Sequence, residues 1–165
     1  GNLVKIKGHK YLIEAIKKIT AKRQDILCII IGRGIERDNL QNQIDALGLC
    51  DFIKMIDGVN HDEVPFWMNA CDVFVLPSLD EGFPTVIPEA LACGRPVVAS
   101  NVGGIPEIID NHYIGMLFKK GDVDDLVAKI VDALNMNWNY DKIKIYAQKY
   151  TWWNIVSQIK CVYLK

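Results

Sequence analysis

The sequence lacks the features that mark several classes of protein. It has no apolar run of the roughly 18 residues that a transmembrane helix needs, and no signal peptide is recognisable at its start. Its net charge is only −1, which gives no reason to expect nucleic acid or an anionic membrane as the main partner. No linker, low-complexity tract or internal repeat interrupts the 165 residues, so we expect a single domain.

Metal-binding spacing is also absent. The five cysteines are widely separated, without a Cys-x-x-Cys pair, and the three histidines are scattered. An odd number of cysteines, mostly beside apolar residues, favours free thiols in a reducing, cytosolic setting. Asp122 and Asp124 form an Asp-x-Asp sequence known from metal sites, but they open an amphipathic helix, so we interpret them as helix-capping residues. We therefore predict no metal site.

The sequence does contain an alternation of short apolar runs with amphipathic stretches. The runs are rich in β-branched residues and do not alternate with polar ones, which is typical of parallel strands covered on both faces. Four runs have this character: residues 26–31, 52–56, 73–76 and 96–99. Between them lie segments whose apolar residues recur at helical spacing. The alternation predicts an α/β fold, a Rossmann-like doubly wound parallel sheet with helices on both faces.

Capping residues predict where some helices begin. Asp62 is expected to cap one helix, with Pro65 in its first turn, and Asp122 or Asp124 to cap another. Residues 136–165 have a purely helical pattern. In doubly wound sheets, ligands bind at the carboxyl ends of the strands, so candidate site residues are expected in the loops that follow each strand.

The loop after residues 73–76 has the clearest chemical potential. A glycine before a helix lets the backbone approach an anion closely, and the free amides of a first helical turn bind phosphate. Thr85 is expected to cap that helix, with Pro88 in the third position, where its missing N–H costs nothing. Glu81 and Glu89 then border one pocket, where carboxylates accept hydrogen bonds from sugar hydroxyls.

This segment resembles the retaining GT-B glycosyltransferases of group 1, or family 4, which include sucrose-synthase-like and mannosyl-transferring enzymes. Glu81 and Glu89 match the Glu-x7-Glu motif of that family, and the similarity extends through residues 90–100, 103–107 and 1–8. It covers nearly all of the chain, as the carboxy-terminal, donor-binding domain of such an enzyme. Two carboxylates at this spacing alone are weak evidence, whereas the long surrounding pattern makes them strong evidence.

The resemblance implies a role for each matching residue. Glu81 is expected to face the hydroxyls of the transferred sugar, and Lys7 to contact the diphosphate, so both are candidate catalytic residues. Glu89 is expected to hold the ribose, and Val59 to lie near the base. The backbone that borders the diphosphate is that of Gly82, Phe83, Pro84 and Thr85.

Asn2 departs from the family pattern, which usually has arginine at this position. The neutral amide removes a charge that the resemblance places on the diphosphate, although Asn2 is still expected to bind donor. Arg33 is a candidate replacement if its loop turns inward. The glycines that flank it, Gly32 and Gly34, indicate a tight strand-to-helix turn rather than a dinucleotide-binding sequence, because the third glycine is missing.

The resemblance further implies retaining transfer of a hexose from a UDP- or GDP-sugar to a hydroxyl acceptor, in polysaccharide, lipopolysaccharide or glycolipid synthesis. It implies no metal and no cofactor apart from the nucleotide-sugar donor. The expected partners are that donor, an acceptor glycan or lipid, and an amino-terminal acceptor domain that this sequence does not include. The sequence begins like a strand-to-helix loop without its strand, so we expect a clipped domain that transfers little alone.

Several alternative interpretations stay open. A nucleotide-sugar 2-epimerase shares the two-lobed architecture but needs further acid–base residues, and a non-catalytic nucleotide-sugar-binding module is suggested by Asn2. Glu81, Glu89 and Lys7 are, on the plainest interpretation, solvated surface charges. The expected location is cytoplasmic, with peripheral attachment at the inner membrane face through the amino-terminal domain as a variant.

A cluster of tryptophans also has two interpretations. Trp138, Trp152 and Trp153 suggest a platform on which a sugar could stack. Trp152 and Trp153 begin a terminal helix, however, and large aromatic side chains mostly serve packing. We therefore expect these three residues to pack in the core or between domains.

Overall fold

A computed structural model describes residues 1–163 and contains two parallel sheets within that range. The strands are Cys28–Ile31 (β1), Ile53–Ile56 (β2), Phe74–Leu76 (β3), Val97–Ser100 (β4) and Gly115–Phe118 (β5). β1 pairs with β2, and β4 lies between β3 and β5, with every pair parallel. All four predicted strands are therefore confirmed, within two residues at each end.

The amino-terminal segment, residues 1–8, joins the two sheets. On one side Asn2 forms an isolated parallel bridge with Arg33, just beyond β1. On the other side the N–H of Leu79, just beyond β3, donates to the carbonyl of Ile6 at 2.7 Å. The spatial order is thus β2, β1, amino-terminal segment, β3, β4, β5. This is the strand order of a Rossmann sheet, in which the ligand crevice opens at the central point where the order reverses.

Helices flank these sheets. Within residues 1–163 they are His9–Thr20 (α1), Arg37–Ala46 (α2), Val64–Ala70 (α3), Val86–Ala92 (α4), Ile105–Ile108 (α5), Val123–Asn135 (α6), Tyr140–Ala147 (α7) and Trp152–Tyr163 (α8). Short 3₁₀ turns occur at Lys5–Lys7, His61–Glu63 and Gln148–Tyr150. The helices pack in two groups, α1 with α2 and α6, and α4 with α3 and α7. The α/β architecture predicted from the sequence is confirmed.

The core lies between these layers. All four residues of β4 are buried, which explains why its sequence is apolar without alternation. α1 buries Leu12, Ile13, Ile16 and Ile19 along one face, and each such side chain contributes about 1.5–3 kcal/mol when it leaves water. The core therefore holds the amino-terminal segment and the loop after β3 in fixed relative positions.

The two predictions of an aspartate cap have different outcomes. Asp122 caps α6, since its side chain accepts the N–H of Asp125 at 3.1 Å, so Asp124 is not the cap. Asp62 is not a cap; Asn60 precedes the 3₁₀ turn that leads into α3, and the Glu63 carboxylate accepts the N–H of Asn60 at 3.0 Å. This places the start of the helical segment two residues earlier than predicted.

Thr85 stands at the expected position before α4, and Pro88 is the third helical residue, as predicted. The Thr85 side chain nevertheless makes no capping bond. Its φ and ψ of −57° and −26° are helical, whereas a capping residue needs an extended backbone to fold its hydroxyl over the first turn. The prediction of a Thr85 cap is wrong.

The tryptophans also separate. Trp138 is buried and its Nε1 donates to the Ala133 carbonyl at 2.7 Å, so it packs in the core. Trp152 and Trp153 are each 82% exposed on α8, so neither is a core residue of this chain. Among the described residues, no helix combines the length and the hydrophobicity that a bilayer-spanning segment requires.

Candidate functional site

Two candidate residues, 74 positions apart, meet at the centre of the sheet. Lys7 Nζ donates to Glu81 Oε1 at 2.7 Å, where the amino-terminal segment passes the loop after β3. The Lys7 side chain is 31% exposed and the Glu81 side chain only 10%. A carboxylate this buried requires a partner, because leaving an ionised group unpaired away from water is costly. The ion pair is therefore largely withdrawn from the open surface, at the centre of the sheet where a ligand crevice is expected.

Glu81 has a second partner that sequence analysis missed. Ser78 Oγ donates to the same oxygen, Oε1, at 2.6 Å, and Ser78 is fully buried. Ser100, at the end of β4, is also fully buried and donates its hydroxyl to the Ser78 carbonyl. The available signal was positional: both serines lie at the carboxyl end of a strand, where ligand-binding side chains concentrate.

Glycines determine how closely these segments approach. Gly8 has a φ of +68°, and a Cβ there would lie 1.9 Å from the Pro77 carbonyl oxygen. Gly103 has a φ of +50°, and its Cβ would lie 1.6 Å from the Glu81 carbonyl oxygen. Neither position accepts a side chain without backbone movement. The position of Lys7 is thus fixed by the close contact of its neighbour Gly8 with Pro77, and that of Glu81 by its own contact with Gly103.

The backbone that follows Glu81 offers free hydrogen-bond donors. Gly82, Phe83 and Thr85 are exposed, and among residues 1–163 their N–H groups donate to no protein acceptor. Pro84, between them, is buried and has no N–H. Three unpaired N–H groups beside a lysine are suited to bind an anion.

The second carboxylate of the motif has different surroundings. Glu89 lies in the first turn of α4 and is half-buried. Its carboxylate makes no hydrogen bond or ion pair with any described residue, although its backbone N–H donates to the Thr85 carbonyl at 3.1 Å. Glu81 is therefore bound within the protein, whereas Glu89 is free to accept a ligand hydroxyl.

The loops after β1 and β2 form the other part of the crevice. Arg33 is exposed and one guanidinium N–H reaches the Gly58 carbonyl at 3.4 Å. This places the cation on the loop before Val59, which is half-buried. Asn2 is exposed beside Arg33. In the described structure, Arg33 contacts the loop assigned to the base and makes no bond with Lys7 or Glu81.

His9 follows this site at the first position of α1. Its Nδ1 is buried without a hydrogen-bond partner. Burial first, and then the nearby positive charge of Lys7, lowers the pKa of His9 to about 4. His9 is therefore neutral at neutral pH and adds no charge beside Lys7. Across residues 1–163, no cluster of three or more histidine, cysteine, aspartate and glutamate side chains has the arrangement of a metal site.

Comparisons with known proteins identify the family of this chain. The model of the family described as glycosyl transferases group 1 matches residues 1–150. An uncharacterized glycosyltransferase of Methanocaldococcus jannaschii is 34% identical over 168 residues, covering 99% of this chain and 46% of that protein. The chain thus spans less than half the length of this relative.

Solved structures give the same result. Anabaena HepE in complex with UDP superimposes with a TM-score of 0.85 at 28% identity, covering 98% of this chain and 46% of HepE. The carboxy-terminal domain of the group 1 glycosyl transferase LpcC from Francisella tularensis superimposes with a TM-score of 0.73 at 28% identity, covering 90% of this chain and 77% of that one. This chain belongs to the glycosyl transferases group 1 family and has the fold of the carboxy-terminal domain of a GT-B glycosyltransferase.

Proposed function

We propose that this chain is the donor-binding half of a retaining glycosyltransferase that transfers a hexose from a UDP- or GDP-sugar to a hydroxyl acceptor. The main support is the Lys7–Glu81 pair at the centre of the sheet, beside a loop with three free N–H groups. One cation with several donors fits a diphosphate, and a carboxylate next to it fits the hydroxyls of the attached sugar. HepE, which has the same fold, binds UDP.

Lys7 and the backbone of residues 82–85 are assigned to the diphosphate. When the bond between the sugar and the diphosphate breaks, negative charge develops on the departing nucleoside diphosphate. Lys7 Nζ and the free N–H groups of Gly82, Phe83 and Thr85 stabilise that charge. These groups are held by the protein before ligand arrives, so the site needs little reorganisation.

The remaining roles are those that the resemblance implies. Glu81 accepts hydrogen bonds from hydroxyls of the transferred sugar, and the unpaired carboxylate of Glu89 accepts them from the ribose. Val59 borders the base, on the loop that Arg33 also contacts. Asn2 lies at the rim of the same crevice, where its amide is a neutral donor.

The acceptor, a glycan or lipid of polysaccharide, lipopolysaccharide or glycolipid synthesis, is assigned to an amino-terminal domain. This rests on the share of its relatives that the chain covers, which is less than half. The five cysteines of residues 1–163 are free thiols, which supports a reducing, cytoplasmic setting. Family membership does not favour a 2-epimerase or a non-catalytic module.

A thermal-shift screen of UDP-, GDP- and ADP-sugars tests donor binding. A ligand at a hundred times its Kd is expected to stabilise the folded chain by about 2.7 kcal/mol. We expect a clear rise in Tm with a UDP- or GDP-sugar and a smaller one with ADP-sugars. If no nucleotide sugar shifts the Tm at millimolar concentration, the donor-binding role is wrong. Retention at the anomeric carbon is then tested by NMR of the glycoside that the two-domain enzyme, with its amino-terminal acceptor domain, forms from the selected donor.

A further inference from the structure

We propose that Ser78 is a positioning residue that orients the Glu81 carboxylate toward the sugar of the donor. The inference rests on the proposed function. Ser78 Oγ and Lys7 Nζ donate to the same oxygen, Glu81 Oε1, at 2.6 and 2.7 Å. A serine hydroxyl bonded to a buried carboxylate leaves that carboxylate fewer orientations, because each alternative rotamer breaks the bond.

The two bonds make the oxygens of Glu81 unequal. Oε1 accepts both protein donors, whereas Oε2 accepts none from the described residues. Oε2 is not a buried atom without a hydrogen-bond partner; since it has no donor among the described residues, it must be accessible to solvent. Ser78 and Lys7 therefore fix one oxygen in the protein and leave Oε2 as the acceptor for sugar hydroxyls.

Ser78 lies in the protein interior. Ser100 Oγ, at the end of β4, donates to the Ser78 carbonyl, and both serines are 0% exposed. If Glu81 rotated away, the Ser78 hydroxyl would remain buried without an acceptor, which is unfavourable. The burial of Ser78 thus opposes rotation of the Glu81 side chain.

The effect to measure is the contribution of the sugar to donor affinity. We define it as the Kd of the nucleoside diphosphate divided by the Kd of the nucleotide sugar, measured by calorimetry with UDP and UDP-glucose or with the pair selected by the donor screen. For Ser78→Ala we expect this ratio to fall roughly three- to tenfold, the loss of part of one charge-assisted hydrogen bond. The Kd of the nucleoside diphosphate should stay within about twofold, since Lys7 keeps its own bonds.

Ser100→Ala is the matched control. It removes one hydroxyl from an equally buried serine that contacts the Ser78 backbone and not Glu81. We expect it to lower the Tm but to leave the sugar ratio within about twofold of wild type. If Ser78→Ala does not fold, Ser78→Cys retains the packing with a weaker donor and should lower the ratio as well.

Three results would overturn the positioning role. The first is an unchanged sugar ratio in folded Ser78→Ala or Ser78→Cys. The second is a sugar ratio that Ser100→Ala lowers equally. The third is an equal loss of nucleoside diphosphate affinity in the Ser78 variants, which would indicate a general structural defect. A wild-type chain that binds neither ligand contradicts the proposed function itself, and the positioning role with it.

Discussion

Two groups of side chains in the crevice differ in how firmly they are held. The bonded group, Lys7, Ser78 and Glu81, is linked by bonds of 2.6 and 2.7 Å within tightly packed backbone. The open group consists of Asn2, Arg33 and Glu89. Among residues 1–163, the shortest side-chain hydrogen bond of this group is the 3.4 Å contact of Arg33 with a backbone carbonyl, and the Asn2 and Glu89 side chains make none.

The difference matches the chemistry assigned to each group. Charge changes during transfer at the diphosphate and the sugar, and fixed donors stabilise such charge without reorganising. The ribose, to which Glu89 is assigned, keeps its charge, so that contact needs only to accept a ligand hydroxyl. We therefore expect changes in the backbone that holds the bonded group to have larger effects on the free energy of unfolding than changes in the open group.

The largest expected effect is that of Gly103→Ala. The new Cβ would lie 1.6 Å from the Glu81 carbonyl oxygen, at a φ of +50° that alanine disfavours. Because the obstacle is backbone, the loop that holds Glu81 must move. We expect a loss of at least about 3 kcal/mol in the free energy of unfolding, measured in urea.

Gly48→Ala is the control for Gly103→Ala. Its φ is +65°, but a Cβ there meets nothing within 4 Å. It should cost only about 1 kcal/mol, the strain of a left-handed backbone alone. Equal losses in the two variants would show that the loop around Glu81 is no more tightly packed than an ordinary surface turn.

A pH effect of intermediate size is expected from His9. Its pKa is about 4 in the folded chain, against about 6.5 when unfolded, so between these values the unfolded chain binds more protons. Stability should therefore fall as the pH is lowered from 6.5 toward 4, by about 2 kcal/mol at pH 4.5 from this group. In urea unfolding, the His9→Gln variant should lose about 2 kcal/mol less free energy of unfolding than wild type between pH 6.5 and 4.5. Identical pH profiles of wild type and variant would contradict the lowered pKa of His9.

Much of this fold could be predicted from the sequence, because buried parallel strands consist of short runs rich in β-branched apolar residues. β5, Gly115–Phe118, was missed because it begins with glycine and its middle residues are half-buried. Asn60 replaced Asp62 as the cap because both residue types suit that position and only the tertiary path decides between them.

The site was less predictable than the fold. Glu81 and Lys7 came from the resemblance, but their contact depends on a sheet order in which residues distant in sequence become neighbours. Ser78 was missed since serine is common in loops, and only the three-dimensional structure shows that it is buried against a carboxylate. Hydrogen-bond partners between separate loops cannot be obtained from spacing.

The two carboxylates provide the next comparison. Glu89→Ala should weaken UDP or GDP binding about tenfold, as expected for the loss of a charged acceptor of ribose hydroxyls. Glu81→Ala should not weaken it, because Glu81 is assigned to the transferred sugar and not to the nucleotide. Calorimetry on both variants measures this. Similar losses of UDP or GDP affinity in both variants would contradict the separate roles assigned to the two carboxylates.

The smallest expected effect concerns Asn2. Asn2→Arg adds a cation at the position where the resemblance implies an arginine, and should strengthen nucleoside diphosphate binding by about 1 kcal/mol, or a few-fold. Arg33→Ala should have little effect on the diphosphate, since Arg33 contacts the loop near Val59. If Arg33→Ala weakens binding strongly while Asn2→Arg adds nothing, Arg33 already supplies the second charge.

The central claim is that Lys7 and nearby N–H groups bind a nucleoside diphosphate without a divalent metal. Calorimetric titration of UDP and GDP in the presence of a chelator tests it on wild type, Lys7→Ala and Lys5→Ala, the last being a neighbouring exposed lysine that serves as control. We predict binding by wild type, a loss of about tenfold or more in Lys7→Ala, and a change within about twofold in Lys5→Ala. Absence of binding in chelator with recovery on adding manganese, or equal affinity in Lys7→Ala and wild type, would contradict it.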